Sequence, residues 1–195
     1  MPKNRIEAFT DAIIAIVMTI LVLELHTPEN DSFLAFSGIE HELVIYLVSF
    51  VMLAIYWNNH HHLFQLVRKV DGGTLWANNC LIFALTSFPF ATAWVSEFPM
   101  SLAPQVLYGI LILVADVSYY ALVRSLVRVN GANSKVHQLA ASYPKLIVTI
   151  SLNIIAILIG YLVAPVWILI INGCGLLLWF IPEKLAERLH IENER

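Results

Sequence analysis

A chain of 195 residues, with 59% hydrophobic and 13% charged residues and a formal charge of −3, carries about half the charge of an ordinary soluble domain, where about 25% is usual. That composition, with a mean hydropathy of +0.76, excludes a soluble globular enzyme, a disordered chain, a collagen-like protein and a basic nucleic-acid binder. A membrane span takes roughly 20 apolar residues, so the length holds six spans with short loops and no separate soluble domain.

Six apolar segments are predicted in chain order, at 6–26, 40–66, 73–96, 104–128, 145–163 and 165–182. The first begins with Arg5, Glu7, Thr10 and Asp11. Lys3 and Arg5 resemble the start of a signal peptide. Glu7 and Asp11 interrupt that pattern, and no small-residue cleavage site follows, so the segment reads as a span. The links carry turn residues, such as Thr27-Pro28-Glu29-Asn30-Asp31, Asp71-Gly72-Gly73 and Ala164-Pro165. Residues 1–182 are thus expected to form one six-helix transmembrane domain and 183–195 a short charged tail. Cys80 and Cys174 lie in apolar runs and are expected to be small core residues, with no disulfide framework.

Charge placement predicts the topology. The basic residues are Lys3, Arg5, Arg68, Lys69, Arg124, Arg128, Lys135, Lys145, Lys184, Arg188 and Arg195. Numbering the loops alternately puts all of them on one side. The other side carries Glu29, Asp31, Glu40, Glu42 and Glu97. Basic residues mark the cytoplasmic face, so a cell-membrane location with both termini cytoplasmic is expected.

This topology brings polar groups of three spans to one depth. Arg5, Glu7, Thr10 and Asp11 lie in the inner half of span one. Trp57, Asn58, Asn59, His60, His61 and His62 arrive near the cytoplasmic side on span two, and Trp76, Asn78 and Asn79 leave from it on span three. Buried polar groups need partners, so a hydrogen-bonded cluster locking these spans is predicted. Consecutive helical residues point about 100° apart, so the three histidines cannot chelate one ion. A contact from a histidine to Glu7 or Asp11 is expected instead, and no metal or cofactor. Asp116, Asn153 and Asn172 lie deeper in the later spans. They are read as interhelical hydrogen-bonding groups rather than as a proton or ion pathway, since one acid without a basic partner makes a poor one.

Projecting span one at about 100° per residue gathers Phe9, Ala12, Ile16, Ile20, Leu23 and Thr27 into one apolar stripe, with Thr19 at its edge and Asp11 nearly opposite. Periodicity alone assigns such a stripe to lipid or core packing. The chain has no Thr-Val-Gly-Tyr-Gly run, which excludes a carbonyl-lined potassium filter.

The stretch Arg5-Ile6-Glu7-Ala8-Phe9-Thr10-Asp11, followed by an apolar run, resembles the first-helix signature of the transmembrane protein 175 family, R-x-x-x-F-S-D, with Thr10 in place of the serine. Trp57-x-x-His60-His61-x-Leu63-Phe64, Asn78 with Phe88-Pro89-Phe90, and Phe180-Ile181-Pro182 resemble later family motifs, so the likeness covers essentially the whole chain. It implies a channel passing potassium and other monovalent cations passively through a central pore lined by the first helix. The pore would be gated by apolar side chains, with Ile16 at the main constriction and Ile20 and Leu23 above it. By the same resemblance Thr19 matches a threonine tied to potassium selectivity. Arg5, Asp11, Trp57, His60 and Asn78 match the polar network that holds the pore helix. Ala15 stands where the animal channel has serine, which implies weaker selectivity. The chain has a single first-helix signature, whereas the animal channel carries two six-helix units and works as a dimer. The implied assembly is therefore a homotetramer in the lipid bilayer. The resulting expectation is an all-α membrane protein of six transmembrane helices per subunit, not an enzyme, with no nucleic-acid partner. The alternative is a proton-coupled secondary transporter built on Asp116 and the histidines. Inverted repeats or broken mid-membrane helices would favour it, and neither is evident in the sequence.

Overall fold

Residues 3–141 and 144–179 are described by a computed structural model of the chain. The order of elements is α1 (Lys3–Leu23), a 3-10 turn (Phe33–Gly38), α2 (Glu40–Leu66), α3 (Gly72–Thr86), α4 (Phe88–Glu97), α5 (Leu102–Asn130), α6 (Lys135–Ala141), α7 (Pro144–Leu162), α8 (Trp167–Gly175) and a second 3-10 turn (Leu176–Trp179). The protein is a multi-pass helical bundle.

The expected six transmembrane helices are corrected to five among the described residues. Those long and apolar enough to cross a membrane are α1, α2, the α3–α4 pair taken together, α5 and α7. The described part of the segment expected as the sixth, 165–179 of 165–182, holds the 9 residues of α8 and the 4 of the second turn. At about 1.5–2.0 Å per residue they extend roughly 20 Å, short of the ~30 Å hydrocarbon core. Two glycines near its end, Gly173 and Gly175, weaken the helix there. The expected homotetramer is withdrawn with the six-helix count, because the contacts within one chain build one bundle and set no number of copies. The expected tail 183–195 and the Phe180-Ile181-Pro182 motif lie outside the described residues. Cys80 and Cys174 are exposed and free, so they are not the core residues their apolar neighbours implied.

The third span is broken at Ser87, between α3 and α4. Pro89, in the first turn of α4, has no N–H to continue the ladder. The hydroxyls of Thr86 and Ser87 both donate to the Phe83 carbonyl at 2.9 Å. The break therefore leaves a carbonyl satisfied by side chains in a medium with no water to do so.

α5 is the central post, packed by α3, α4, α7 and α8. Two glycines set the close approaches around it. A Cβ on Gly109 of α5 would lie 2.9 Å from Ile157 Cγ1 on α7, and a Cβ on Gly160 of α7 would overlap Ile168 of α8. Small residues let membrane helices pack backbone to backbone. At Gly109 the gap also lets Asn153 Nδ2 donate to the glycine carbonyl at 3.1 Å.

One end of the bundle is tied together by polar contacts. Lys3 Nζ donates to the Phe64 carbonyl at 3.1 Å, which brings the start of α1 to the end of α2. Asp71 caps α3, accepting from the Thr74 backbone N–H at 2.8 Å and the Thr74 hydroxyl at 2.9 Å. It also pairs with Arg128 on α5 at 3.1 Å. These bonds, with the Arg128 charge, hold the Asp71 carboxyl below its ordinary value. Asn130, the last residue of α5, accepts from the backbone N–H groups of Arg68 and Lys69 at 3.0 Å and returns its amide to Lys69 and Leu126 carbonyls. Lys3, Arg68, Lys69 and Arg128 thus share one end. At the other end His26 meets Glu42 at 3.2 Å.

Candidate functional site: the polar lock and the bare face of the first helix

α1 has two faces because its apolar side chains fall on both sides of the helix, while its carboxylates, Glu7 and Asp11, lie away from the stripe. Ile6, Thr10, Ile14, Val17 and Leu21 form its buried face. The spacing of three and four puts them on one side. The other side carries Phe9, Ile16, Ile20 and Leu23, exposed by 53%, 57%, 37% and 78%. Thr19 is also exposed, and its hydroxyl donates to the Ile16 carbonyl at 2.7 Å. The projected stripe is therefore one continuous uncovered face of the chain.

The buried face is locked by a relay through three helices. His60 Nε2–H on α2 donates to Asn78 Oδ1 on α3 at 3.0 Å, and Asn78 Nδ2 donates to Thr10 Oγ1 on α1 at 2.9 Å. All three residues are buried. His60 also stacks on Phe64, ring centres 4.3 Å apart. The relay's third member, Thr10, carries only a hydroxyl in the sequence signature. Its position on the buried face, four residues from both Ile6 and Ile14, is the signal that marks it.

A second contact set lies on the flank of the same helix. Trp57 Nε1–H donates to Asp11 Oδ1 at 3.1 Å. His61 stacks on Trp57 with ring centres 5.7 Å apart. His61 Nδ1 stands 3.5 Å from Glu7 Oε1, which is the histidine–carboxylate contact expected from the sequence. Of the residues expected in the network, Asp11, Trp57, His60 and Asn78 are brought together around α1, in two sets. Arg5 is exposed and, among the described residues, makes no hydrogen bond or ion pair. The geometry accounts for it: Arg5 and Asp11 are six residues apart, about 120° round the helix. Arg5 therefore projects along the bare stripe, about 20° from Ile16.

A third set lies deeper. Tyr56 of α2 donates to Asp116 of α5 at 2.5 Å, and both line a cleft between α2, α5, α7 and α8. Ser49 and Tyr108 are bonded at 2.9 Å, with Thr92 donating to Ser49 at 2.8 Å. Asp116 and Asn153 thus bridge helices as expected. Asn172 instead donates to Ile168, four residues back on its own helix, so it is not an interhelical group in these contacts. Tyr56, the partner of Asp116, sits between Ile55 and Trp57, where the sequence carries no polar signal.

Comparison with known proteins follows the same lines. The profile of the family described as endosomal/lysosomal potassium channel TMEM175 matches residues 5–89, the part holding α1, α2, α3 and the start of α4. A potassium channel of a Chryseobacterium species is 37% identical over 193 residues, covering 99% of this chain and 100% of that protein. A potassium channel of Chamaesiphon minutus is 34% identical over 102 residues, about half of each chain (49% and 50%). The crystal structure of a lysosomal potassium-selective channel TMEM175 homolog from Chamaesiphon minutus superposes with a TM-score of 0.76 at 24% identity, covering 95% of this chain and 97% of that one. This last likeness speaks to the fold alone. With a relative similar from end to end and the family profile lying on the helices that carry the polar lock, the chain belongs to the TMEM175 potassium-channel family.

Proposed function

We propose that the chain is a potassium channel whose pore is walled by the bare face of α1 from several associated copies. The observation that carries this reading is the division of α1. Its buried face is locked to α2 and α3 by the Thr10–Asn78–His60 relay, while Ile16, Ile20 and Leu23 on the opposite face stay exposed. A wall must be held from behind and open in front, and α1 has that form. The family likeness supports potassium as the ion, with Thr19 beside the stripe as the selectivity residue.

Ile16 forms the closed gate in this reading. A short neck of isoleucine side chains offers water no hydrogen bonds, so the neck empties and an ion meets a desolvation barrier. Flux is passive. The basic end of the bundle is the cytoplasmic end, by the preference of Lys and Arg for that side. Asp11, Trp57, His60 and Asn78 position α1 and do not touch the ion. Arg5, on the bare face at the basic end of α1, stands at the cytoplasmic mouth.

Liposome flux with two asparagine variants tests the register. Ile16→Asn removes the dewetting with little change in volume, and is expected to raise resting flux and admit sodium more readily. Ile13→Asn should not, because Ile13 lies about 60° round the helix and packs against the core. A leaking Ile13 variant beside an unchanged Ile16 variant would refute the assignment.

A further inference from the structure

The flank of α1 that meets α2 carries a ligand set that the pore does not use. Glu7 and Asp11 on α1 and His61 on α2 each present one donor atom, and these atoms all lie within 4.8 Å of one another. Glu7 and Asp11 are four residues apart, so they stand one above the other on the same face. By helical projection that face is about 140–180° from Ile16, on the far side of the helix from the stripe.

Three features distinguish this set from an ordinary acidic patch. Its donors come from two helices and include an imidazole nitrogen. Among the described residues, neither Glu7 nor Asp11 pairs with a lysine or arginine: Lys3 is turned to the Phe64 carbonyl, and Arg5 projects to the other face. Two half-buried carboxylates facing one histidine leave an excess of negative charge that a cation would offset. Finally, two of the ligands are oriented from outside the set. Trp57 Nε1–H holds Asp11 and its ring stacks on His61. The Gln65 side-chain nitrogen donates to His61 Nε2 at 2.8 Å, which leaves the ring proton on Nδ1, toward Glu7. An ion at Nδ1 takes the place of that proton, and a half-turn of the Gln65 amide lets its oxygen accept the Nε2–H of the metal-bound ring. Outer partners of this kind hold the direction of ligating side chains.

We propose that Glu7, Asp11 and His61 form a binding site for a divalent transition-metal ion of the zinc class, held between α1 and α2. Zinc–nitrogen and zinc–oxygen bonds of about 2.0–2.2 Å place tetrahedral donors roughly 3.4 Å apart. The His61–Glu7 pair already has that spacing at 3.5 Å, and a small side-chain movement closes the rest. The three consecutive histidines are not the ligand set; one of them joins two carboxylates from the facing helix. A solvent molecule completes the coordination on the open side. An imidazole with two carboxylates favours zinc, cobalt or manganese over calcium, which takes oxygen ligands in larger number. A bound ion would clamp the first turns of α1 to α2.

The test uses the full-length purified chain in detergent, free of any affinity tag and stripped with EDTA. It is independent of whether the protein conducts. Cobalt(II) is titrated and its visible d–d absorption followed, with zinc(II) as competitor and calcium(II) as control. The expected result is one saturable set of bands per chain, displaced by zinc and indifferent to calcium. Glu7→Gln and His61→Gln should each weaken cobalt binding about tenfold or more, while His62→Gln changes it less than about twofold. Elution profile and helical content report folding of each variant, and the parent titration together with Glu7→Gln decides the matter should His61→Gln misfold. Absence of the bands in the parent overturns the proposal, as does retained affinity in a folded His61 or Glu7 variant. An equal loss in the His62 variant overturns it too.

Discussion

Asn78 is the residue on which three helices converge, so its removal gives the most direct test of the lock. Its amide donates to Thr10 at 2.9 Å and its carbonyl accepts from His60 at 3.0 Å, with all three side chains at most 1% exposed. Hydrogen bonds between membrane helices contribute about 0.6–2 kcal/mol each. Asn78→Ala, which breaks two, should therefore cost about 1–4 kcal/mol. Thr10→Val removes one acceptor while keeping the shape, and should cost about half as much. The double variant should cost less than the sum, because the Thr10–Asn78 bond can be lost only once. The coupling energy should be that of a single bond, about 0.6–2 kcal/mol. Unfolding of the purified chain by SDS in mixed micelles, followed by tryptophan fluorescence and circular dichroism, measures all three. Additivity within about 0.3 kcal/mol would refute the relay, as would an Asn78→Ala variant as stable as the parent.

Other consequences follow from the packing and the charges. Gly160→Ala drives a methyl into Ile168 and should cost about 1–3 kcal/mol as an overpacked contact; Gly175→Ala, with nothing within 4 Å of the added carbon, should cost nothing in the same SDS titration. Asp71 has its carboxyl held below the ordinary value by Thr74 and Arg128, so its contribution is full above that ordinary value and is lost as pH falls through the lower, folded-state value. Hydrogen exchange at the Thr74 amide should accordingly quicken relative to neighbouring helix amides in acid, and Asp71→Asn should abolish that acid dependence. Neutralising the exposed acids Glu24, Glu29 and Asp31 should lower potassium conductance more at low salt than at high salt, because screening already removes their field when salt is high. Equal effects in single-channel records at both salts would contradict this.

The sequence by itself determined the solvent, the class and the two faces of α1. Runs of roughly 20 apolar residues bounded by turn residues read as membrane helices, because only a helix satisfies its backbone within one segment, and the strands of a closed barrel are shorter and alternate. The apolar stripe through Ile16 and the histidine–carboxylate contact were likewise legible, because helical periodicity is a local property. Tertiary structure decided what periodicity does not carry. It broke the third span at Ser87 and, over residues 165–179, made a short helix and turn of the apolar run after Pro165, since neighbouring packing sets how far an apolar run stays helical. It chose Thr10 and not Asp11 as the partner of Asn78, and His61 and not His60 as the neighbour of Glu7. Both choices rest on how α2 and α3 are rotated against α1, a long-range relation between segments some 50 to 70 residues apart. It also turned Arg5 away from the network its motif implied, because six residues on a helix separate two side chains by about 120°, and only the packed neighbours reveal which of the two faces is covered.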